Sequence, residues 1–340
     1  MKEIFTITLL IIGALIGAGF ASGQEIYSFF YAYGSSGILG IIVTCSLIGL
    51  LIYKSLQIIY DNNIESYSDF LRFFIKNDKV VTIINNVMNV LLLVTFYIMI
   101  AGFGAYFQQE FEINKIIGSA ILAILAGVVF FTSVKGVLKV SEFIVPVLLI
   151  FIIWIGGINL FTINMDTKVL AVKSGWLLSS ISYCSYNMIL LIPVLISIKK
   201  QIKYKSNIKY IALCCGILMM TMSMLIYMLL ARTDIENSTL EMPIVYVIRT
   251  FFTKYKVVYA FIILASIFTT AISIGIGFLQ NISKNERSYP QFVIFMCITS
   301  LLVSKIGFSK LVNLLYPFFG YLGIIQIFAI LFIRKSKTII

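Results

Sequence analysis

A glycine-rich stretch near the start of the chain reads Gly13-Ala14-Leu15-Ile16-Gly17-Ala18-Gly19-Phe20-Ala21-Ser22-Gly23-Gln24-Glu25. It interrupts an apolar segment that extends from about residue 4 to residue 32. Its four glycines oppose a continuous helix, since each costs about 1 kcal/mol relative to alanine. Non-helical backbone at membrane depth is tolerated only where it faces protein or a wet cavity. The stretch therefore predicts a broken membrane span, the construction with which secondary transporters form solute and ion sites.

Ser22 and Glu25 have the Ser-x-x-Glu spacing of a capping box. This spacing predicts that a second half-helix begins near Gly23, with Ser22 as its N-cap and Glu25 as the capping partner. The alternative is that the small residues only let two membrane helices pack closely. An acid well inside an apolar segment favours the functional break, because ionisable residues in spans are rare and usually functional.

The composition is that of an integral membrane protein, with 60% hydrophobic and 12% charged residues. The net charge of +12 does not indicate nucleic-acid binding, because the lysines lie in short loops between apolar segments. The chain has no histidine, and its five cysteines lie inside apolar segments without metal-ligand spacing. These features argue against a disulfide framework, a zinc site and a catalytic triad. We therefore expect neither an enzyme nor an organic cofactor.

Ten apolar segments are predicted to cross the membrane, given a rise of about 1.5 Å per helical residue. They are residues 4–32, 36–60, 80–107, 113–133, 137–161, 173–198, 207–231, 256–282, 289–305 and 308–333. The first segment lacks the basic start and cleavage site of a signal peptide. Five lysines between residues 199 and 209 predict a cytoplasmic loop and hence two cytoplasmic termini.

Two connecting segments are predicted to contain short helices. Residues 64–76 predict an amphipathic helix on the cytoplasmic membrane surface, because Tyr67, Phe70, Leu71 and Phe74 share one helical face. Residues 238–252 begin with a second Ser-x-x-Glu pattern, Ser238 to Glu241, and predict a short external helix. That helix either dips into an outer vestibule or lies on the surface without a gating role.

The ten spans divide into two sets of five around the loop at residues 162–172, giving halves 1–161 and 173–340. An odd number of spans in each half inverts the second half, which predicts that the sixth span mirrors the broken first. Residues 179–187 of that span read Ser-Ser-Ile-Ser-Tyr-Cys-Ser-Tyr-Asn, which fits a second break. Since this run lacks glycine, the alternative is a continuous helix with a polar face.

The eighth span carries a row of hydroxyls, formed by Ser266, Thr269, Thr270 and Ser273 at i, i+3, i+4 and i+7. Such hydroxyls commonly bond to their own backbone. The other interpretation is that two of them, beside the freed carbonyls of a broken helix, form a neutral oxygen cage for a hard cation such as sodium.

The stretch 13–20 resembles the first-helix signature of the amino acid–polyamine–organocation superfamily, which has the LeuT-type fold. The longer stretch 17–25, together with residues 182–187 and 268–271, resembles the YkvI-type family of bacterial membrane proteins. Only these three stretches are specific, although the order of spans agrees over nearly the whole chain. The resemblance implies a five-plus-five inverted repeat in a bacterial inner membrane, with broken helices 1 and 6 and substrate held between spans 1, 3, 6 and 8.

The resemblance also implies a sodium site. Laid on this sequence, its ligands are the carbonyls of Gly13 and Ile16, the carbonyl of Ser266, and the hydroxyls of Thr269 and Thr270. Some proton-coupled relatives replace the ion with a lysine of the fifth span. Here the only lysine of that span, Lys139, lies at its cytoplasmic end, which favours sodium.

The candidate substrate contacts lie on three spans. The backbone amides of Gly17, Ala18 and Gly19 are predicted to hold a carboxylate. The predicted side-chain contacts are Tyr97, Ser182, Tyr183, Tyr186 and Asn187. Tyr97 is placed by depth alone, and a packing role competes with the binding role. Glu25 has three alternative roles: it closes the capping box, binds a cationic amine, or carries a coupling proton.

The sequence thus predicts an all-α polytopic protein that transports a small solute by alternating access, coupled to sodium. The solute is expected to be an amino acid or a related zwitterion or amine, and the only other partner is the lipid bilayer. Alternatives are a proton-coupled transporter that uses Glu25 and a nutrient-sensing receptor similar to germination receptors. A channel is disfavoured because no filter-like sequence is present. The substrate, the direction of transport and the oligomeric state are not predicted.

Overall fold

The computed structural model describes residues 2–132, 134–162, 172–231, 240–283 and 287–332. The regular structure in these ranges is helical, which confirms the all-α class. The helices are α1 Lys2–Leu15, α2 Ala18–Ala21, α3 Gln24–Phe29, α4 Ser36–Asp61, α5 Tyr67–Arg72, α6 Asp78–Phe111, α7 Lys115–Thr132, α8 Val134–Thr162, α9 Trp176–Ile198, α10 Asn207–Leu230, α11 Pro243–Phe251, α12 Lys256–Ile282, α13 Tyr289–Ser304 and α14 Phe308–Phe332.

The predicted spans all correspond to apolar helices. Among the described residues, 7 helices are long and apolar enough to cross a membrane by themselves. They include all or part of α4, α6, α8, α9, α10, α12 and α14. Three shorter apolar helices, Glu3–Leu15, Lys115–Phe131 and Tyr289–Ser304, match the predicted first, fourth and ninth spans. The chain is therefore a multi-pass membrane protein.

The long helices pack in two groups. In the first group, α4 packs against α9 and α10, and α1 packs against the same two helices. In the second group, α6 packs against α7, α12 and α13, and α7 also packs against α13. Four pairs of helices that are equivalent in an inverted repeat therefore pack together, namely α1 with α9, α4 with α10, α6 with α12 and α7 with α13. The division into 1–161, a connection at 162–172, and 173–340 stays a prediction, and residues 163–171 of that connection lie outside the described residues.

The break expected in the sixth span is absent, because α9 runs uninterrupted from Trp176 to Ile198. Three of its polar side chains, Ser180, Ser185 and Asn187, bond to the preceding turn of their own helix. Ser180 Oγ donates to Trp176 O at 2.7 Å, and Asn187 Nδ2 donates to Tyr183 O at 2.9 Å. Without glycine there is no backbone reason to unwind, and the local bonds use the polar groups inside the helix. The alternative, a continuous polar-faced helix, is correct.

A close helix contact fixes α14 against α9. At Gly320 a Cβ would overlap Ser182 Oγ, and at Gly323 it would lie 2.7 Å from Ser185 O. Small residues allow such close approach between membrane helices. This contact brings the middle of α14 beside the polar centre of α9.

The short helix predicted at residues 64–76 is confirmed as α5. Ser66 is its N-cap, and the Ser66 hydroxyl accepts from Asp69 N at 3.1 Å. Phe70 and Leu71 are buried, and the Tyr67 hydroxyl donates to Gln326 Oε1 of α14 at 3.0 Å. The apolar face of α5 is therefore packed against the helix bundle.

Candidate functional site

The first span is broken twice, which confirms the prediction made from its glycines. The chain leaves the helix after Leu15, and Gly17 has an extended conformation (φ −92°, ψ −169°) before the single turn α2. A second interruption lies at Gly23, whose φ of +80° is in the left-handed region that favours glycine. A Cβ at Gly23 would also overlap the side chain of Ile244.

The predicted capping box is wrong. Ser22 has helical backbone angles (φ −67°, ψ −15°), whereas an N-cap residue is normally extended. Its hydroxyl donates to Gly19 O at 3.0 Å and accepts from Gln24 N at 3.3 Å. Gly23 occupies the N-cap position, and the second half-helix, α3, begins at Gln24. Glu25 is therefore not needed for capping, and its carboxyl turns towards α9.

The Glu25 carboxyl is held between the broken span and α9. Oε2 accepts from the Tyr183 hydroxyl at 3.1 Å, and the Tyr186 side chain lies close to the carboxyl. It lies so close to α2 that a Cβ at Gly19 would overlap Oε1. Glu25 is only 3% exposed. In the described part of the chain, no lysine or arginine forms an ion pair with it.

Aromatic rings surround this carboxyl. Tyr186 stacks on Tyr316 of α14, with ring centroids 4.6 Å apart and planes 27° apart. Phe29 stacks on Tyr186 at 5.8 Å and meets the Tyr183 ring edge-on at 5.1 Å. Phe30 packs against the other side of Tyr183 at 5.0 Å. We call the Glu25 carboxyl with Tyr183, Tyr186 and Tyr316 the tyrosine cage.

A cavity of about 370 Å³ opens beside the tyrosine cage, between α3, α9 and α14. This volume lies within the range of small-molecule sites, about 300–1,000 Å³. Phe29 lines the cavity and also contacts Tyr183 and Tyr186, so its ring lies between the cavity and the cage. The polar lining comes from serines and one asparagine, namely Ser28, Ser174, Ser179, Ser182 and Asn313.

A polar cluster joins α3 to α14 at the edge of this cavity. Gln24 Nε2 donates to Ser309 Oγ at 2.8 Å, and Ser28 Oγ donates to Asn313 Oδ1. Gln24 is buried, and in the described part of the chain its Oε1 has no hydrogen-bond partner. The cluster fixes the position of α3 relative to α14 and leaves one buried acceptor.

The helix α11 covers the break in the first span. Ile244 N donates to Ser22 O at 2.9 Å, and the Tyr259 hydroxyl of α12 donates to the adjacent carbonyl of Ala21. Glu241 Oε2 accepts from Ser309 N at 2.6 Å, which ties the start of α11 to the start of α14. The predicted external helix therefore inserts among the spans and does not lie free on the surface. Ser238 lies outside the described residues.

The hydroxyl row of α12 reaches the first break through Thr270. Its methyl carbon would lie 3.8 Å from a Cβ at Gly17. Thr269 Oγ1 donates to Ser266 O at 3.2 Å, and Ser273 Oγ donates to Thr269 O at 2.8 Å. These two hydroxyls thus bond their own helix, as the alternative interpretation expects. A hydroxyl that donates keeps its lone pairs for a cation, so the sodium site stays a prediction.

Some of the remaining predicted substrate contacts lie at the tyrosine cage or the adjacent cavity, and others lie away from them. The structure brings Gly19, Glu25, Tyr183 and Tyr186 together and places Ser182 on the cavity, where its Oγ donates to Pro317 O at 3.2 Å. Tyr97 instead has its hydroxyl 2.6 Å from Thr299 Oγ1 of α13, which supports its packing role. Gly17, Ala18 and Gly19 lie at the start of the single turn α2, and their predicted contact with a carboxylate stays a prediction.

Three residues of the site are not predicted by the sequence: Tyr316, Phe29 and Gln24. Each acquires its role through a contact with a distant part of the chain. Tyr316 lies directly before Pro317 in the last span, and this local pattern does not indicate that it meets Tyr186.

Three solved structures have the same fold as this chain. The inward-facing conformation of Mhp1 aligns with a TM-score of 0.68 at 12% identity, over 96% of this chain and 75% of Mhp1. Mhp1, a nucleobase-cation-symport-1 family transporter, in a closed conformation with bromovinylhydantoin bound, aligns with a TM-score of 0.61 at 10% identity and the same coverage. A manganese transporter of Eremococcus coleocola, in complex with an aromatic bis-isothiourea substituted compound, aligns with a TM-score of 0.50 at 11% identity, over 96% of this chain and 69% of that chain. The fold is therefore LeuT-type.

The sequence is similar over nearly its whole length to two proteins of Bacillus subtilis (strain 168). It is 31% identical over 328 residues to the uncharacterized membrane protein YkvI, covering 94% of this chain and 93% of YkvI. It is 25% identical over 337 residues to the uncharacterized protein YyaD, covering 93% of this chain and 92% of YyaD. No model of a protein family matches the chain. This chain belongs to the YkvI family of membrane proteins.

Proposed function

We propose that this protein is a secondary transporter that moves a small solute across the membrane by alternating access. The observation that carries the proposal is the broken first span, whose second half presents the buried Glu25 carboxyl to α9 and α14. Broken helices near the middle of the membrane form the solute and ion sites of such transporters. The fold shared with Mhp1 supports the proposal.

The proposed solute is an amino acid or a related zwitterion or amine. Its binding site comprises the tyrosine cage, the adjacent cavity and the backbone amides at the start of α2. The protein belongs, in this proposal, to the amino acid–polyamine–organocation superfamily. It lies in a bacterial inner membrane with both termini in the cytoplasm, as the lysines near residue 200 favour.

Sodium is the proposed coupling ion. Its ligands would be the carbonyls of Gly13, Ile16 and Ser266 and the hydroxyls of Thr269 and Thr270. The packing of α12 against α2, with the Thr270 methyl on the side of Gly17, supports this assignment, because it places the helix that carries the hydroxyl row beside the break. Oxygen ligands of this kind suit a hard cation.

A second candidate for the coupling ion is a proton carried by Glu25. The observation that favours it is that this buried carboxyl lacks an ion-pair partner in the described part of the chain. Proton relays in membrane spans commonly use such acids. Glu25→Gln should fold, and if its binding and flux keep the wild-type pH dependence, the proton role is wrong.

Reconstitution into lipid vesicles tests the proposal. Vesicles that contain only this protein should accumulate a labelled solute when a sodium gradient is imposed and lose it when the gradient is reversed. Vesicles with equal potassium on both sides serve as the control. Tight solute binding without flux would contradict transport and would support the nutrient-sensing receptor.

A further inference from the structure

No lysine or arginine among the described residues forms an ion pair with the Glu25 carboxyl. The carboxyl accepts from the Tyr183 hydroxyl, and the Tyr186 side chain lies close to it. Moving an ionised carboxylate out of water costs several kcal/mol unless a positive group accompanies it. A bound solute that carries a positive group would supply this compensating charge when the carboxylate is ionised.

The aromatic rings around Glu25 select the kind of positive group. Tyr186 and Tyr316 are stacked, and Phe29 covers the side of the cage that faces the cavity. Tyr316 and Phe29 both stack on Tyr186, so a ring face becomes available to an ammonium group only when Phe29 turns aside; such faces attract organic cations. An anionic group placed here would be repelled by the ionised carboxylate.

The cavity beside Phe29 indicates what the rest of the ligand is like. The described residues of its lining include no acidic or basic side chain, and its polar groups are the hydroxyls and amide of residues such as Ser28, Ser182 and Asn313. It also contains the rings of Tyr27, Tyr33 and Tyr321. Such a lining accommodates a neutral body that is partly apolar and forms a few hydrogen bonds.

We propose that the solute carries an ammonium group, which forms an ion pair with Glu25 inside the tyrosine cage while the body of the solute occupies the adjacent cavity. This inference rests on the proposed function and names Glu25 as the residue that binds the ammonium group of its solute. For the ammonium to pass from the cavity to the carboxyl, the Phe29 ring must turn aside. Primary amines and amino acids share the ammonium group, and the experiment separates them.

The experiment measures thermal unfolding of the purified protein with three matched sets of probes. The sets are the amino acids, the amino acid amides, which keep the ammonium and lack the carboxylate, and the deamino acids, which keep the carboxylate and lack the ammonium. A ligand that binds the folded state raises the unfolding temperature by mass action. We expect stabilisation by at least one amide and by none of the deamino acids. If amides act and the parent amino acids do not, the solute is an amine; if both act, it is an amino acid.

Glu25→Gln provides the test of the ion pair. Loss of one partner of a buried charge pair should weaken ammonium binding by about 30-fold or more. The unfolding temperature without ligand should change little, since glutamine has the same shape. Glu110→Gln is the matched control, because Glu110 also lies in a long span but is paired with Arg249 at 3.4 Å. This control variant should keep the wild-type affinity for the amide.

Three results would overturn the inference. They are stabilisation by deamino acids, the absence of stabilisation by every ammonium probe, and wild-type affinity in Glu25→Gln. Its failure is distinct from failure of the proposed function. Flux of a neutral or anionic solute in vesicles would support transport and contradict the ion pair with Glu25. Binding of ammonium probes without flux would support the ion pair and contradict transport.

Discussion

The Tyr183 hydroxyl donates a hydrogen bond to Glu25 Oε2 at 3.1 Å, which joins the second half of the broken first span to the middle of α9. The two residues are 158 positions apart in the chain. Both are buried, so the bond is shielded from water. The bond connects α3, the second half of the broken first span, to α9, in which the sequence wrongly predicts a break.

Tyr183→Phe should lower the free energy of unfolding by about 1–3 kcal/mol, because a buried acceptor loses a donor. Chemical denaturation in detergent measures this change. Tyr97→Phe is the matched control and should cost less. The partner of Tyr97, Thr299, keeps bonds to Phe295 O and Met296 O of its own helix. Equal losses in both variants would contradict a special role for the Tyr183 bond.

Gly19→Ala should disrupt the tyrosine cage, because the added Cβ would overlap Glu25 Oε1 and force the carboxyl to move. We expect ammonium-dependent thermal stabilisation to fall strongly while the helical content by circular dichroism is unchanged. Gly157→Ala is the control, since a Cβ at Gly157 meets nothing within 4 Å. Wild-type stabilisation in Gly19→Ala would show that the carboxyl position is not required for binding.

Replacing Thr269 and Thr270 together with alanine should abolish any sodium dependence of solute binding, because two of the five proposed oxygen ligands are lost. Binding measured in sodium and in potassium chloride reports the effect. Ser273→Ala should keep the sodium dependence, since its hydroxyl only bonds to Thr269 O of the same helix. Unchanged sodium dependence of solute binding in the double variant would contradict the proposed sodium site.

Tyr259→Phe should loosen the contact of α12 with the first span, because the Tyr259 hydroxyl donates to Ala21 O beside the site where α11 is bound. Hydrogen exchange of the α11 amides should therefore become faster. Tyr289→Phe is the control, since the Tyr289 hydroxyl donates to the Phe130 carbonyl of α7 and not to the first span. Equal exchange rates of the α11 amides in wild type and Tyr259→Phe would show that this bond does not help to hold α11 over the break.

A cysteine placed at Ser206 should react with a membrane-impermeant reagent only from the cytoplasm. The position is exposed and lies among the lysines that set the predicted orientation. The reagent is applied to intact cells and to inverted vesicles, in a background without the native cysteines. Labelling of intact cells would overturn the predicted topology.

The sequence predicts the features that depend on local chemistry. The break at Gly23 follows from the left-handed conformation that favours glycine, and the spans follow from length and apolarity. Gly17 is extended, a conformation that other residues also adopt. The predicted break in the sixth span is absent because its polar run lacks glycine, and serine and asparagine side chains bond to carbonyls one turn back within the continuous helix. The capping role of Glu25 fails because a left-handed glycine begins α3 and leaves the carboxyl free to reach Tyr183.

The contacts that complete the site are long-range and could not be predicted from local patterns. Tyr316 meets Tyr186 because two glycines of α14 let that helix approach α9 closely. Ile244 reaches Ser22 because α11 folds back over the broken span. Both contacts depend on the packing of the two halves, which single residues do not reveal.

The most direct test of the central claim is solute-induced current in vesicles that contain only this protein, measured with wild type and Glu25→Gln in parallel. The claim predicts that an ammonium solute that stabilises the protein also evokes a current in sodium. At a solute concentration that half-saturates the wild type, this current should be much weaker in potassium and much weaker in Glu25→Gln. A solute that stabilises wild type but evokes neither current nor flux would contradict transport. Full current in Glu25→Gln would contradict the assignment of Glu25 as the binding carboxylate.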